Sequence, residues 1–165
     1  MCEEIVKLAG VTDYAVNKFP DKKDGDLAIL LSESKVEMEA VPIKINTPRQ
    51  VFDSIKMVSK LTGRQLSDSE ILEFFEGYEL AEKYLNSSFK REISVKVYSE
   101  FLKDIVLDVG FNIVEENPDF VVYPDYLKEN VQETDNLVEI PSHNFVSKNP
   151  FERIEARYSI LENLI

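Results

Sequence analysis

Residues 45–86 read INTPRQVFDSIKMVSKLTGRQLSDSEILEFFEGYELAEKYLN, the one long helical stretch in a chain otherwise built of short strands and turns. Thr47-Pro48-Arg49-Gln50 has capping-box spacing, and Pro48 suits the first helical position. Val51, Ile55, Val58 and Leu61/Thr62 then recur with the rhythm of one buried helix face. Gly63 marks a helix end or a kink. Ser67-Asp68-Ser69-Glu70 repeats the capping-box pattern, and Ile71, Phe74, Phe75, Tyr78, Ala81 and Leu85 supply a second apolar stripe. The pattern predicts two consecutive helices with a break near Gly63.

Outward from this spine the periodicity shortens. On the N-terminal side, residues 5–12 are expected to form a short strand ending in the turn at Asp13-Tyr14. Residues 17–25 form a loop rich in Pro, Asp and Gly, and residues 27–31 are a continuous apolar run of strand length. Residues 40–45 give a third strand, with Pro42 at its edge or beginning. On the C-terminal side, Ile93, Val95 and Val97 alternate with polar residues as a strand does. Residues 99–109 follow as a helix stopped by Gly110. A brief strand at 111–114, a turn at Asn117-Pro118-Asp119 and an apolar strand at 120–123 come next. A short helix is expected from Pro124-Asp125, a strand at 137–140, a loop at 141–149 and a last helix opening at Asn149-Pro150. Strands alternating with helices argue for an α/β protein with mostly parallel strands. The expected organisation is a reduced first lobe (1–46), a helical spine (47–86) and a second lobe (87–165), with merger into one compact domain the alternative.

The composition narrows the function. The chain has 165 residues, 44% hydrophobic and 30% charged, as folded proteins do. Its 31 acidic against 19 basic residues give a net charge of −12. Such a field repels phosphate backbones, so nucleic acid is not an expected partner. No apolar run is long enough to span a membrane. The start, Met1-Cys2-Glu3-Glu4, lacks the basic and apolar regions of a signal peptide, which predicts a cytoplasmic location. A lipoprotein lacking its signal would also begin Met-Cys. One cysteine excludes an internal disulfide, and a single histidine leaves no His/Cys metal cage within the chain. A nucleophile elbow, a phosphate-binding glycine loop and an HExxH motif are all missing.

Several short phrases, in order, resemble one family. Gly10-Val11-Thr12-Asp13-Tyr14 with Phe19-Pro20 resembles a first-lobe "GVTDY…yP" segment, and DLAILL (26–31) resembles the "PDLVi" strand after it. Val41-Pro42-Ile43 resembles "gIPVv", and VFDSIKMVSKLTGR (51–64) resembles the linking helix. VYSEFLKDIVLDVGFNIV (97–114) and NPDFVV (117–122) resemble the second-lobe helix and its "nPDvIi" strand, and residues 138–153 loosely follow "vy.ip…rpgpR". The chain thus resembles a shortened, signal-less member of the class III, helical-backbone substrate-binding proteins of ABC importers, the type that captures cobalamin, haem and ferric siderophores. The resemblance implies a chelatase-like, helical-backbone metal-receptor fold. It also implies reversible binding of a metal chelate or a tetrapyrrole- or corrinoid-like molecule in an inter-lobe cleft. The cofactor is left unknown. A protein-binding scaffold or assembly factor is the alternative, and an enzyme of cofactor metabolism a third.

Candidate ligand-binding residues lie where strands are expected to end. Asp13 and Tyr14 follow the first predicted strand, and Tyr123, Asp125 and Tyr126 the corresponding strand of the second lobe. A tyrosine and a carboxylate from each lobe would stack on a flat ligand and bond its edge; a turn and a helix start with packing aromatics is the plainer reading. His143, in a polar loop, suits an axial ligand or a general base, although most loop histidines are neither. Arg153 and Arg157 on the last helix would receive ligand carboxylates, with surface ion pairs to Glu152 or Glu155 the more ordinary expectation. Cys2 has no base beside it.

Overall fold

A computed structural model describes residues 1–34, 36–131, 136–142 and 146–165. It is a mixed α/β protein with two parallel sheets. The first helix of the 45–86 stretch begins as expected. Helix α2 (Pro48–Leu61) is capped by Thr47, whose hydroxyl accepts from the Gln50 N–H at 3.3 Å. The return arm of the box reaches one residue further: Gln50 Oε1 accepts from the N–H of Asn46 rather than of Thr47. Gly63 follows with a φ of 76°, the left-handed conformation of a helix stop. Helix α3 (Asp68–Glu73) has a complete capping box between Ser67 and Glu70.

The expected second helix is in fact two. Gly77, at a φ of 85°, separates α3 from α4 (Glu79–Asn86). The N-cap residue Tyr78 offers no side-chain acceptor to α4. Glu155, far along the chain, accepts from the Leu80 and Ala81 N–H groups at 2.8 and 2.9 Å instead. A cap supplied from another helix leaves no local sequence signal.

The N-terminal segment is also corrected. Residues expected to form a strand make helix α1 (Cys2–Leu8), with Ile5, Val6 and Ala9 buried at helical spacing. Glu3 and Glu4 in its first turn and Lys7 in its last suit the helix dipole, and Lys7 pairs with both at 2.9 and 3.1 Å. The apolar run IVKLA fits either period over so short a span; the charge order was the discriminating signal. Helix α1 packs on α2 and on β1 (Ala28–Leu31).

Strand β1 pairs in parallel with β2 (Ala40–Ile43), in the register Ala28 to Ala40. This two-stranded sheet stands apart from a second, four-stranded one. The latter contains β3 (Ser94–Val97), β4 (Asn112–Ile113), β5 (Phe120–Pro124) and β6 (Leu137–Ile140), all parallel, in the order β4-β3-β5-β6. Helix α5 (Glu100–Val109) connects β3 to β4, and a 3-10 helix (Asp125–Asn130) follows β5. Gly110 ends α5 at a φ of 95°, where an added Cβ would lie 2.5 Å from the Phe89 carbonyl oxygen. Only glycine fits there.

The order β4-β3-β5-β6 reverses direction between β3 and β5: the chain leaves β3 toward one edge and β5 toward the other. In open α/β sheets a ligand crevice lies outside the strand C-termini at such a switch point. Helix α6 (Pro150–Glu162), capped by Asn149, closes the chain against α4 and α5. Tyr158 fastens it by donating to Asp108 of α5 at 2.5 Å. The buried apolar residues form one continuous cluster drawn from both sheets and the helices, with Ile43, Val51, Val95, Val122 and Ile154 among its members.

Candidate functional site

A cavity of about 390 Å³ opens where the carboxyl ends of strands from both sheets face each other. Leu31 and residues 43–46, at and beyond the ends of β1 and β2, line one side. Ser99, Glu100 and Phe101 after β3, Tyr126 after β5 and Ser142 after β6 line the other, with Arg153 and Arg157 of α6 behind them. The loops after β3 and β5 are those flanking the switch point of the second sheet.

The arginines dominate its electrostatics. Pro150, Arg153, Ile154, Arg157, Tyr158 and Leu161 occupy the buried stripe of α6, so the spacing that buries the apolar residues also turns both guanidiniums inward. Arg153 and Arg157 are only 6% and 4% exposed. Their expected surface pairs with Glu152 or Glu155 do not form, because Glu155 caps α4. Both bond to backbone carbonyls instead. Arg157 donates to Pro141 at 2.9 Å and to Ser142 at 3.0 Å, and Arg153 to Ser147 and Ser142, each at 3.3 Å. The Phe101 ring covers Arg157, with the guanidinium carbon 4.9 Å from its centroid. Burial, and then the charge of Arg153, push the Arg157 guanidinium down to about 9, against the opposing pull of Asp125 and Tyr158. Burial lowers Arg153 as well. Both remain cations at neutral pH.

Around them lie polar groups held in place. Asp125 accepts from the Ser142 N–H at 3.2 Å and from the Ser142 hydroxyl, fixing the strand end whose carbonyl the arginines share. Ser99 is the N-cap of α5 yet makes no capping bond, and its Oγ is buried with no partner among the described residues. Lys44 and Asn46 on the opposite wall both donate to Asp104 of α5, at 3.1 and 3.0 Å, and Gln50 adds a third bond at 3.0 Å. Burial would raise the Asp104 carboxyl, but these three donors hold it below the ordinary carboxylate value.

The structure divides the residues singled out from sequence. Tyr126 and Arg153 line the cleft, and Asp125 braces it through Ser142. Tyr123 lies within β5, nearly buried, with its hydroxyl 3.3 Å from Glu139 of β6 rather than at the strand end. Asp13 and Tyr14 follow a helix, not a strand, so the strand-end argument does not apply to them. They line a separate cavity of about 580 Å³ beside α1 and β1, and the Tyr14 hydroxyl donates to Glu3 at 3.3 Å. His143 lies outside the described residues. Cys2 lines the cavity beside α1, where burial raises its thiol. Ser99, Phe101 and Ser142 were not singled out as site residues in the sequence, since each belongs to a cleft defined by tertiary packing. Arg157 was named there beside Arg153 on the last helix, with surface ion pairs as the ordinary expectation.

Among the described residues no group of three or more His, Cys, Asp or Glu side chains is arranged to hold a metal ion. No helix among them is long and apolar enough to cross a membrane. No family model matches the chain, and the comparison with curated proteins finds no significant relative.

Proposed function

We propose that the chain is a reversible binder of a small metal chelate or tetrapyrrole-like molecule, held without covalent chemistry in the cleft between its two parallel sheets. The observation that carries this reading is the position of the 390 Å³ cavity, at the switch point of one sheet and facing the strand ends of the other. Phe101 and Tyr126 give it aromatic walls suited to a flat ligand, and polar groups face it from both sides. Its volume lies near the lower end of the range of about 300–1,000 Å³ for small-molecule sites. That volume is of the size of a compact chelate rather than a whole corrinoid.

Thermal unfolding against cobalamin, cobinamide, haem, sirohydrochlorin and ferric chelates tests the reading. A native-state ligand at about a hundred times its Kd adds about 2.7 kcal/mol, a shift of several degrees at this size. The expected result is a saturable shift with one member, lost in Phe101→Ala and Tyr126→Ala. A flat panel contradicts it.

A protein-binding scaffold is the second reading. Its support is the loop between α1 and β1, which leaves Val16 69% and Phe19 76% exposed. Retention of a specific partner by the wild type, lost in Val16→Ser/Phe19→Ser, would favour it.

A further inference from the structure

On the binding role proposed above for the same cleft, we propose that Arg153 and Arg157, together with Ser99 at the start of α5, form an oxyanion-binding subsite. The occupant is held there by a carboxylate or phosphate group.

The two cations are anomalous where they stand. The chain has 31 acidic residues against 19 basic ones, so a carboxylate partner is the easiest thing for this sequence to supply. Neither arginine has one among the described residues: every ion pair formed there involves Lys7, Lys44, Lys56, Lys83, Arg91, Lys96, Lys103 or Lys128. Carbonyl dipoles satisfy part of each guanidinium without counter-charge, and Asp125, whose charge acts on Arg157, is engaged with Ser142; a buried cation so weakly countered is costly. Each guanidinium also keeps N–H groups beyond those given to Pro141, Ser142 and Ser147, and both side chains line the cleft. The Phe101 face on Arg157 restrains its plane, which pre-organises a fork for a two-oxygen acceptor.

Ser99 points to the same occupant from another element. A serine at an N-cap ordinarily accepts from the first-turn N–H groups. Here Oγ makes no such bond and is shielded from solvent, in a residue that lines the cavity. An anion seated there would accept from the hydroxyl and face the positive end of a ten-residue helix. The carboxylates nearby are otherwise engaged or outward: Asp125 holds Ser142, Glu100 pairs with Lys103 at 2.6 Å, and Glu33 is exposed at the rim.

The competing account is that the arginines merely tie Pro141, Ser142 and Ser147 to α6. Calorimetric titration of the full chain, at constant ionic strength in chloride, separates the two. The probes are succinate, its uncharged counterpart succinamide, and inorganic phosphate. The subsite predicts saturable binding of succinate or phosphate and none of succinamide; which anion binds tells a carboxylate from a phosphate. Affinity should fall at least about tenfold in Arg157→Met and in Arg157→Lys, which keeps the charge but loses the fork, and severalfold in Ser99→Ala. If Arg157→Met does not fold, the lysine and alanine variants still give the answer. Absence of binding by both anions, or affinities unchanged in the variants, overturns the subsite. A chelate that binds wild type and variants equally leaves the cleft role standing and removes the subsite. Anion binding lost in the variants, with a flat chelate panel, keeps the subsite and removes the chelate.

Discussion

Arg153 and Arg157 donate to one shared acceptor, the carbonyl oxygen of Ser142, at 3.3 and 3.0 Å. Two side chains one helical turn apart thereby fix the end of β6 against α6, and they bring two positive charges to a single point of the cleft wall. The rest of the cleft is arranged around that point. Asp125 braces the serine from the end of β5, and Phe101 covers one guanidinium from α5.

The opposite side is latched by Asp104. Gln50, Asn46 and Lys44 belong to α2 and the segment before it, so their bonds to Asp104 of α5 span the gap between the two sheets. Asp104→Ala should cost about 1–2 kcal/mol at neutral pH, since several polar partners lose a charged acceptor at a partly exposed site. The folded pKa is depressed, so this stability is present above the ordinary carboxylate value and is lost as pH falls through the lower, folded one. Urea denaturation at neutral and acid pH checks both parts. The variant and the wild type should converge in acid.

Asp108 carries the opposite sign. Burial raises its carboxyl, and the Tyr158 hydroxyl bond and the Arg49 charge offset this only in part. The raised pKa contributes stability that is full below the ordinary carboxylate value and is lost as pH rises through the folded value. Asp108→Asn stays neutral and still accepts from Tyr158. Its melting temperature relative to wild type should therefore be higher at about pH 7 than at about pH 3.5. A difference independent of pH would show that the site is not desolvated as described.

Glu155 caps α4 from α6, and no local interaction replaces it. Glu155→Ala should cost about 1–2 kcal/mol, in the range of lost N-caps. Faster amide exchange should be confined to the first turn of α4. Exchange that rises equally across α2 and α4 would mean that these helices unfold as one unit, with the cap contributing nothing local.

Much of this architecture was legible because its signals are local. The apolar run at 27–31 and the alternation at Ile93, Val95 and Val97 identify strands, and the caps at Thr47, Ser67 and Asn149 open helices within a residue of their observed starts. Errors fell where a local pattern was ambiguous or the deciding partner was distant. Ile5 and Val6 fit a strand or a helix, and only the Glu3, Glu4 and Lys7 charges favour the helix. The break at Gly77 has a local glycine behind it, but the cap that opens α4 after it is Glu155, remote in sequence. The candidate cleft was partly legible. Tyr126 and Arg153 were picked out and meet at the cleft, whereas Asp13 and Tyr14 were assigned by a strand that does not exist. Ser99 is an ordinary N-cap serine in sequence; only the packing around it shows an unpartnered hydroxyl.

The location of binding is tested most directly by amide chemical-shift mapping of the full chain with the panel member that stabilises it. The cleft between the sheets predicts saturable shifts at Ser99, Phe101, Tyr126 and Ser142, with those of Asp13 and Tyr14 unchanged. Shifts centred on residues 13–30 instead, with residues 99–101 and 126 silent, would move the ligand to the cavity beside α1 and contradict the account.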